Sequence, residues 1–152
     1  MNYVQKIRAV VGHQPMILVV SGVLIIDDEN RVLLQKRTFP KDTWGIPGGM
    51  MELGETTETT ATREIEEEMG LKLANLKLFN VYSDSPLYEA ENGDQYYTVS
   101  TIYKTTDYSG NLKIDAVESE TFEFRAFDQL PERLFPEHRK ILHDYFDGCT
   151  EA

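Results

Sequence analysis

Six consecutive residues, Arg63-Glu64-Ile65-Glu66-Glu67-Glu68, carry four carboxylates and one guanidinium. On a helix, Glu64 lies one turn from both Glu67 and Glu68, and each such solvated pair repels by roughly 0.2–0.5 kcal/mol. Excluding water raises that cost. The cluster also precedes Gly70, a helix stop signal, so it falls where the helix end already carries partial negative charge. A charged face kept for solubility fits this position poorly, since only Arg63 lies within the segment to neutralise it. Ion pairing with another protein would need basic residues that this chain does not specify. A hard divalent cation answers both objections. Carboxylate and carbonyl oxygens suit Mg²⁺ or Mn²⁺, and the absence of His or Cys nearby disfavours zinc.

Positioning three such carboxylates requires a helix with a fixed face. The pattern predicts one over Thr57 to Met69: Thr56 is an N-cap, Glu58 suits the first turn, and Gly70 supplies the stop. Ala61, Ile65 and Met69 recur every four residues as an apolar stripe for the core, leaving Glu64, Glu67 and Glu68 together on another face. Upstream, MILVVSGVLII (16–26) is nearly continuous and β-branched, as expected of a central strand covered on both faces. DDEN (27–30) reads as a turn and RVLLQKR (31–37) as a second strand, so a hairpin is expected. TFPKDTWGIPGG, with its prolines and glycines, reads as an irregular loop. LKLANLKLFNVYS, QYYTVSTIYKTT and TFEFRAF read as further strands, with Pro86 and Asn92-Gly93 in the loop between the first two, and PEHRKILHDYF (136–146) reads as a closing helix.

The chain of 152 residues has 41% hydrophobic and 11% aromatic content. This suits one domain over about 3–147, followed by a loose tail at 148–152, burying about two-thirds of its unfolded surface. No segment approaches the roughly 20 apolar residues of a membrane span, and the amino terminus lacks a secretory pattern, so the cytoplasm is expected. The single cysteine, Cys149, excludes an internal disulfide and a cysteine-built metal site. A net charge of −11 argues against a nucleic acid duplex as partner, because such affinity rests on neutralising phosphates with Lys and Arg. A small phosphorylated metabolite stays compatible if cations bridge it to the carboxylates.

Gly49, five residues, Glu55, seven residues, then Arg63-Glu64-Ile65-Glu66-Glu67-Glu68-Met69-Gly70-Leu71 resembles the signature of the Nudix (MutT-like) hydrolases at every fixed position. Trp44-Gly45-Ile46-Pro47-Gly48-Gly49 before it fits as well. The motif covers 44–71, and the layout of elements resembles the family over roughly 16–145. The resemblance implies an α/β protein, a Nudix-type α/β/α sandwich with a mixed β-sheet. It also implies a metal-dependent hydrolase that cleaves a phosphoanhydride in a nucleoside diphosphate linked to a group X. Carried over, the metal ligands are Glu64, Glu67, Glu68 and the carbonyl of Gly48, with Mg²⁺ or Mn²⁺ as cofactor.

Glu64 is the first choice as general base. Some relatives use a later glutamate, for which Glu120 and Glu118 are the candidates here. Arg63 and Glu55 are expected to brace the site, Arg63 through Glu67 or Glu55. Arg37 resembles a position that meets substrate in some relatives, and Phe39, Trp44, Tyr96 and Tyr97 are candidates to stack a base. Pro86 and Tyr88 resemble marks tied to ADP-ribose and to dinucleoside polyphosphates, which conflict. His13, His138 and His143 read as structural or surface residues. A non-catalytic nucleotide-sensing module is the alternative, although its usual sign, loss of the motif glutamates, is absent. A decapping role would call for a basic face or an extra domain. The substrate is expected to be a small nucleotide, and some relatives form homodimers, though no patch compels one here.

Overall fold

The computed structural model describes residues 1–114, 117 and 119–150. In chain order these form α1 (Tyr3–Val11), β1 (Met16–Ile25), β2 (Val32–Arg37), β3 (Trp44–Gly45), β4 (Gly48–Met50) and α2 (Thr57–Met69). There follow β5 (Lys72–Ala74), β6 (Lys77–Tyr82), β7 (Tyr88–Glu89), β8 (Gln95–Thr105), β9 (Asp107–Ser109), β10 (Ser119–Arg125), a one-turn 3₁₀ helix (Phe127–Gln129) and α3 (Pro136–Thr150).

The apolar run is central, as its composition predicts. In β1, alternate residues point to opposite faces, and each face meets its own core. Val23 and Ile25 pack with Ala61, Ile65 and Met69 of α2. Leu24, with Ile26 just beyond the strand, packs with Ile141, Leu142, Tyr145 and Phe146 of α3. The β-structure therefore lies between the two helices as an α/β/α sandwich. The main sheet is mixed: β1 runs parallel to β8 from Met16–Tyr96 to Ile25–Thr105, while β4, β6 and β7 join it antiparallel.

The expected β1–β2 hairpin survives only at its turn. Asp27 accepts from the backbone N–H groups of Glu29 and Arg31, and a single bridge joins Ile26 to Val32. Beyond that point the strands separate, β2 pairing with β10 and β3 in a second sheet. The cause is visible in β2, where Val32, Leu33 and Leu34 are all buried. A strand apolar on both faces needs cover on both, and a simple hairpin facing water would leave one side bare. The loop over 38–49 is not wholly irregular either, since it contains β3 and the start of β4. The last helix runs past its expected end at 146 to Thr150, and α1 has no counterpart among the expected elements. No helix among the described residues is long and apolar enough to cross a membrane.

Candidate active site

Helix α2 forms where its caps dictate. The Thr56 hydroxyl accepts from the Thr59 N–H at 3.0 Å, and Gly70 ends the helix in the left-handed region at φ 74°. Ala61, Ile65 and Met69 are fully buried, which fixes the helix's rotation and turns Glu64, Glu67 and Glu68 toward β4. Strand β4 comes unusually close. A Cβ on Gly49 would lie 2.1 Å from the Glu64 carboxyl carbon, and one on Gly48 would lie 2.0 Å from the Ser21 carbonyl oxygen. Only glycine lets the β4 backbone run directly beneath these acids.

Arg63 braces the group. Its Nε and Nη2 donate to the two oxygens of Glu55 at 2.6 and 2.9 Å. Its Nη1 donates to Glu64 at 2.9 Å and to Glu67 at 3.2 Å, and Nη2 also reaches the Met50 carbonyl. The guanidinium holds the Glu55 carboxyl down at about 2, against the pull of burial, with help from the Glu52 N–H and the Thr60 hydroxyl. The same partners raise Arg63 further above its usual range. Both partners expected for Arg63, Glu55 and Glu67, are engaged together.

These side chains line a cleft of about 890 Å³ that also takes in Gly48, Gly49, Arg37, Phe39 and Gln35. Its described lining carries five carboxylates, Glu52, Glu64, Glu67, Glu68 and Glu91, against two guanidiniums, Arg37 and Arg63. The acids differ in exposure: Glu67 is 61% exposed, Glu64 18%, and Glu68 is buried. Among the described residues no three His, Cys, Asp or Glu side chains are already gathered into a metal-holding cluster. Arg63 Nη1 stands between Glu64 and Glu67 and donates to both. The donor chemistry nonetheless fits a hard cation: oxygen ligands only, at the negative end of a helix, over a glycine backbone.

Several expected residues fall elsewhere. Trp44 is not a stacking surface in the cleft. It is buried against α3, its backbone pairs with Arg133 and Phe135, and Arg125 lies 4.9 Å over its ring, so it anchors the start of the last helix. Glu120 is absent from the cleft lining and is held by Lys36 at 3.2 Å. Alternation along β2 puts Lys36 on the face opposite Gln35 and Arg37. Glu118 lies outside the described residues. Tyr97 is half exposed on the face of β8 opposite Tyr96. Phe39 does line the cleft, and Arg37 lines it with its guanidinium 4.4 Å over the Phe135 ring. Pro86 is exposed, whereas Tyr88 is partly buried beside Tyr96. His13 pairs with Asp94 and His143 meets Phe127. His138 is buried, which lowers it to about 3, and its Nδ1 accepts from the Ile46 N–H.

Three contributors escaped the sequence reading. Helix α1 brings Asn2 and Val4 to the cleft, tied there by the Tyr3 N–H donating to both Glu52 oxygens at 2.9 and 3.2 Å. Its signal was present: Asn2 and Gln5 form a capping box, readable as Asn-x-x-Gln. Glu52, and Glu137, which lines an adjoining cavity with Arg37 and accepts from the hydroxyls of Tyr88, Thr98 and Ser100, had no comparable pattern, because their contacts run across the fold.

Residues 16–145 match the family model of the NUDIX domain. The chain is 37% identical over 125 residues to a protein of Methanocaldococcus jannaschii named ADP-ribose pyrophosphatase, covering 80% of this chain and 69% of that one. It is 26% identical over 132 residues to a putative 8-oxo-dGTP diphosphatase of Bacillus subtilis, covering 86% and 80%. The structure resembles that of a MutT NUDIX hydrolase from Burkholderia pseudomallei, with TM-score 0.71 and 32% identity over 86% of this chain and 97% of that one. With the motif residues gathered on one helix above a glycine strand, and with these matches, the chain belongs to the Nudix hydrolases.

Proposed function

We propose that the chain hydrolyses a phosphoanhydride bond in a nucleoside diphosphate linked to a group X, such as ADP-ribose or a (modified) nucleoside triphosphate, with Mg²⁺ or Mn²⁺. The charge of the cleft carries this reading. Five carboxylates against two guanidiniums repel a polyphosphate unless cations intervene. Glu64, Glu67, Glu68 and the Gly48 carbonyl are the residues that would hold them. A bound divalent ion would neutralise phosphate oxygens and acidify a water molecule.

The chain's own groups supply the rest. Glu64 would take the proton from the attacking water, a reading supported by its carboxylate lying between the Arg63 Nη1 and the backbone of Gly49. Arg63, anchored by Glu55, sets where Glu64 and Glu67 point. Arg37 lies across the cleft to meet phosphate oxygens, with Phe39 beside it. The non-catalytic module gains no support from the site, where each motif glutamate is in place.

The test is hydrolysis of a panel containing ADP-ribose, an 8-oxo nucleotide, CDP-choline and dinucleoside polyphosphates, with Mg²⁺ and after chelation. Turnover of at least one compound, lost on chelation and in Glu67→Gln, is expected. A folded protein that binds these compounds and cleaves none would favour the sensing module.

A further inference from the structure

Gly48, whose carbonyl would join the glutamates around a cation, opens a strand too short to place itself. Strand β4 has three residues and lies at the edge of the main sheet, paired with β1 through Gly22–Gly48, Ser21–Gly49 and Val20–Met50. Its start is set by the chain that enters it. That chain is Trp44-Gly45-Ile46-Pro47, which leaves β3 in the second sheet and crosses to the main one.

The crossing is anchored at three points. Trp44 is clamped at both backbone groups, its N–H donating to the Arg133 carbonyl at 2.7 Å and its carbonyl accepting from the Phe135 N–H at 3.0 Å. The Pro47 carbonyl accepts from the Val23 N–H at 3.0 Å. Between these, the Ile46 N–H donates to Nδ1 of His138 at 2.9 Å. This third anchor is a side chain, and it comes from the first turn of α3.

His138 is itself well fixed. Its backbone N–H donates to the Phe135 carbonyl at 3.0 Å, and its ring lies 5.4 Å from that of Phe135. A Cβ on Gly45 would come within 2.8 Å of Nδ1, so the glycine leaves room for the imidazole against the crossing. Burial, then the Arg37 charge, holds His138 down at about 3, which keeps the ring neutral. A neutral imidazole that accepts at Nδ1 carries its proton on Nε2.

The residues between the anchors are stiff. Proline holds its own φ at about −65°, and the residue before a proline is confined to extended backbone. Ile46 and Pro47 are that pair, and both are buried. With the Ile46 N–H pinned at one end and the Pro47 carbonyl at the other, the next peptide, which leads into Gly48, has little freedom left.

We infer that His138 is a positioning residue: through the Ile46 N–H it sets where the Gly48 carbonyl stands, and so how tightly that carbonyl and the α2 glutamates hold a cation. This rests on the hydrolase reading, since it concerns the same cation.

Mn²⁺ affinity, read from the electron paramagnetic resonance of the free ion, separates this role from simple packing. His138→Asn keeps an acceptor at the δ position but loses the volume of the ring. His138→Phe keeps a ring but loses the acceptor. Positioning predicts that His138→Phe binds Mn²⁺ about 10–100-fold more weakly, the usual cost of removing a group that orients a metal ligand, while His138→Asn stays within about threefold of the unaltered protein. Packing predicts the opposite order. Equal losses in the two variants, or a larger loss in His138→Asn, would overturn the inference. The unaltered protein decides the matter even if neither variant folds. Coupling between two equilibria is reciprocal, so saturating Mg²⁺ should slow hydrogen exchange at the Ile46 amide by a similar factor. Exchange there that is unchanged by Mg²⁺ would overturn the inference. An unaltered, folded protein that binds no Mn²⁺ would defeat the hydrolase reading as well, whereas Mn²⁺ bound equally by the unaltered protein and a folded His138→Phe would defeat this inference alone.

Discussion

Two carboxylate sites lie on opposite sides of the main sheet, and they are held by different chemistry. On the α2 side, Glu64 and Glu67 are held by the Arg63 cation, with Glu67 largely in water. On the α3 side, Glu137 is held by three neutral hydroxyls. A cation can be exchanged for another cation with little change in charge. Hydroxyls cannot be exchanged so simply, because each contact is directional and removing one leaves a polar group unsatisfied. The first arrangement suits a site that must admit and release metal, and the second suits a fixed part of the fold.

The largest effects should come from the exchangeable side. Glu67→Gln and Glu68→Gln should each lower kcat by about a thousandfold or more while circular dichroism stays native, because phosphoryl transfer depends on charge neutralisation more than on covalent chemistry. Unchanged turnover in both would break the site assignment. Gly49→Ala comes next, since its Cβ would overlap the Glu64 carboxylate. It should impair turnover and thermal stability together, whereas the Gln variants should spare stability.

Arg63→Ala should be milder in turnover, about 10–100-fold, with weakened metal affinity, as is typical when a residue that orients ligands is removed. It should also release the hold on Glu55, which sharpens the comparison through pH. Because the Glu55 carboxyl is lowered from 4.5 to about 2 in the fold, it stabilises the native state above about pH 4.5. That contribution is lost as pH falls from 4.5 toward 2. Acid unfolding followed by fluorescence should show a smaller loss across this window in Arg63→Ala than in the unaltered protein. The smallest effect belongs to Glu120→Gln, expected to change kcat less than about twofold, since Glu120 pairs with Lys36 away from the cleft. A hundredfold loss there would move the general base off α2.

What the sequence could show follows from the range of each interaction. The helix α2 and the shared face of its acids were legible because their determinants are local: an N-cap, a stripe spaced by four, and a stop. The continuous apolar run likewise announced a strand buried on both sides. The splitting of β1 and β2 into separate sheets was not legible, since it depends on which distant strands cover Val32 to Leu34. Trp44 could be read as a stacking residue because composition does not tell a buried ring from a ring beside a ligand. Glu137 escaped notice for a related reason: its three partners come from β7 and β8, about 40 residues away in sequence. Helix α1, by contrast, carries a local signal in its Asn2–Gln5 capping box.

The most direct test of the α2 site is Mn²⁺ titration followed by NMR of the ¹⁵N-labelled protein. Paramagnetic broadening is expected first at the amides of residues 48–49 and 63–69, and it should be lost there in Glu67→Gln. Broadening centred elsewhere, or no broadening while turnover still requires the metal, would contradict the placement of the cation on α2.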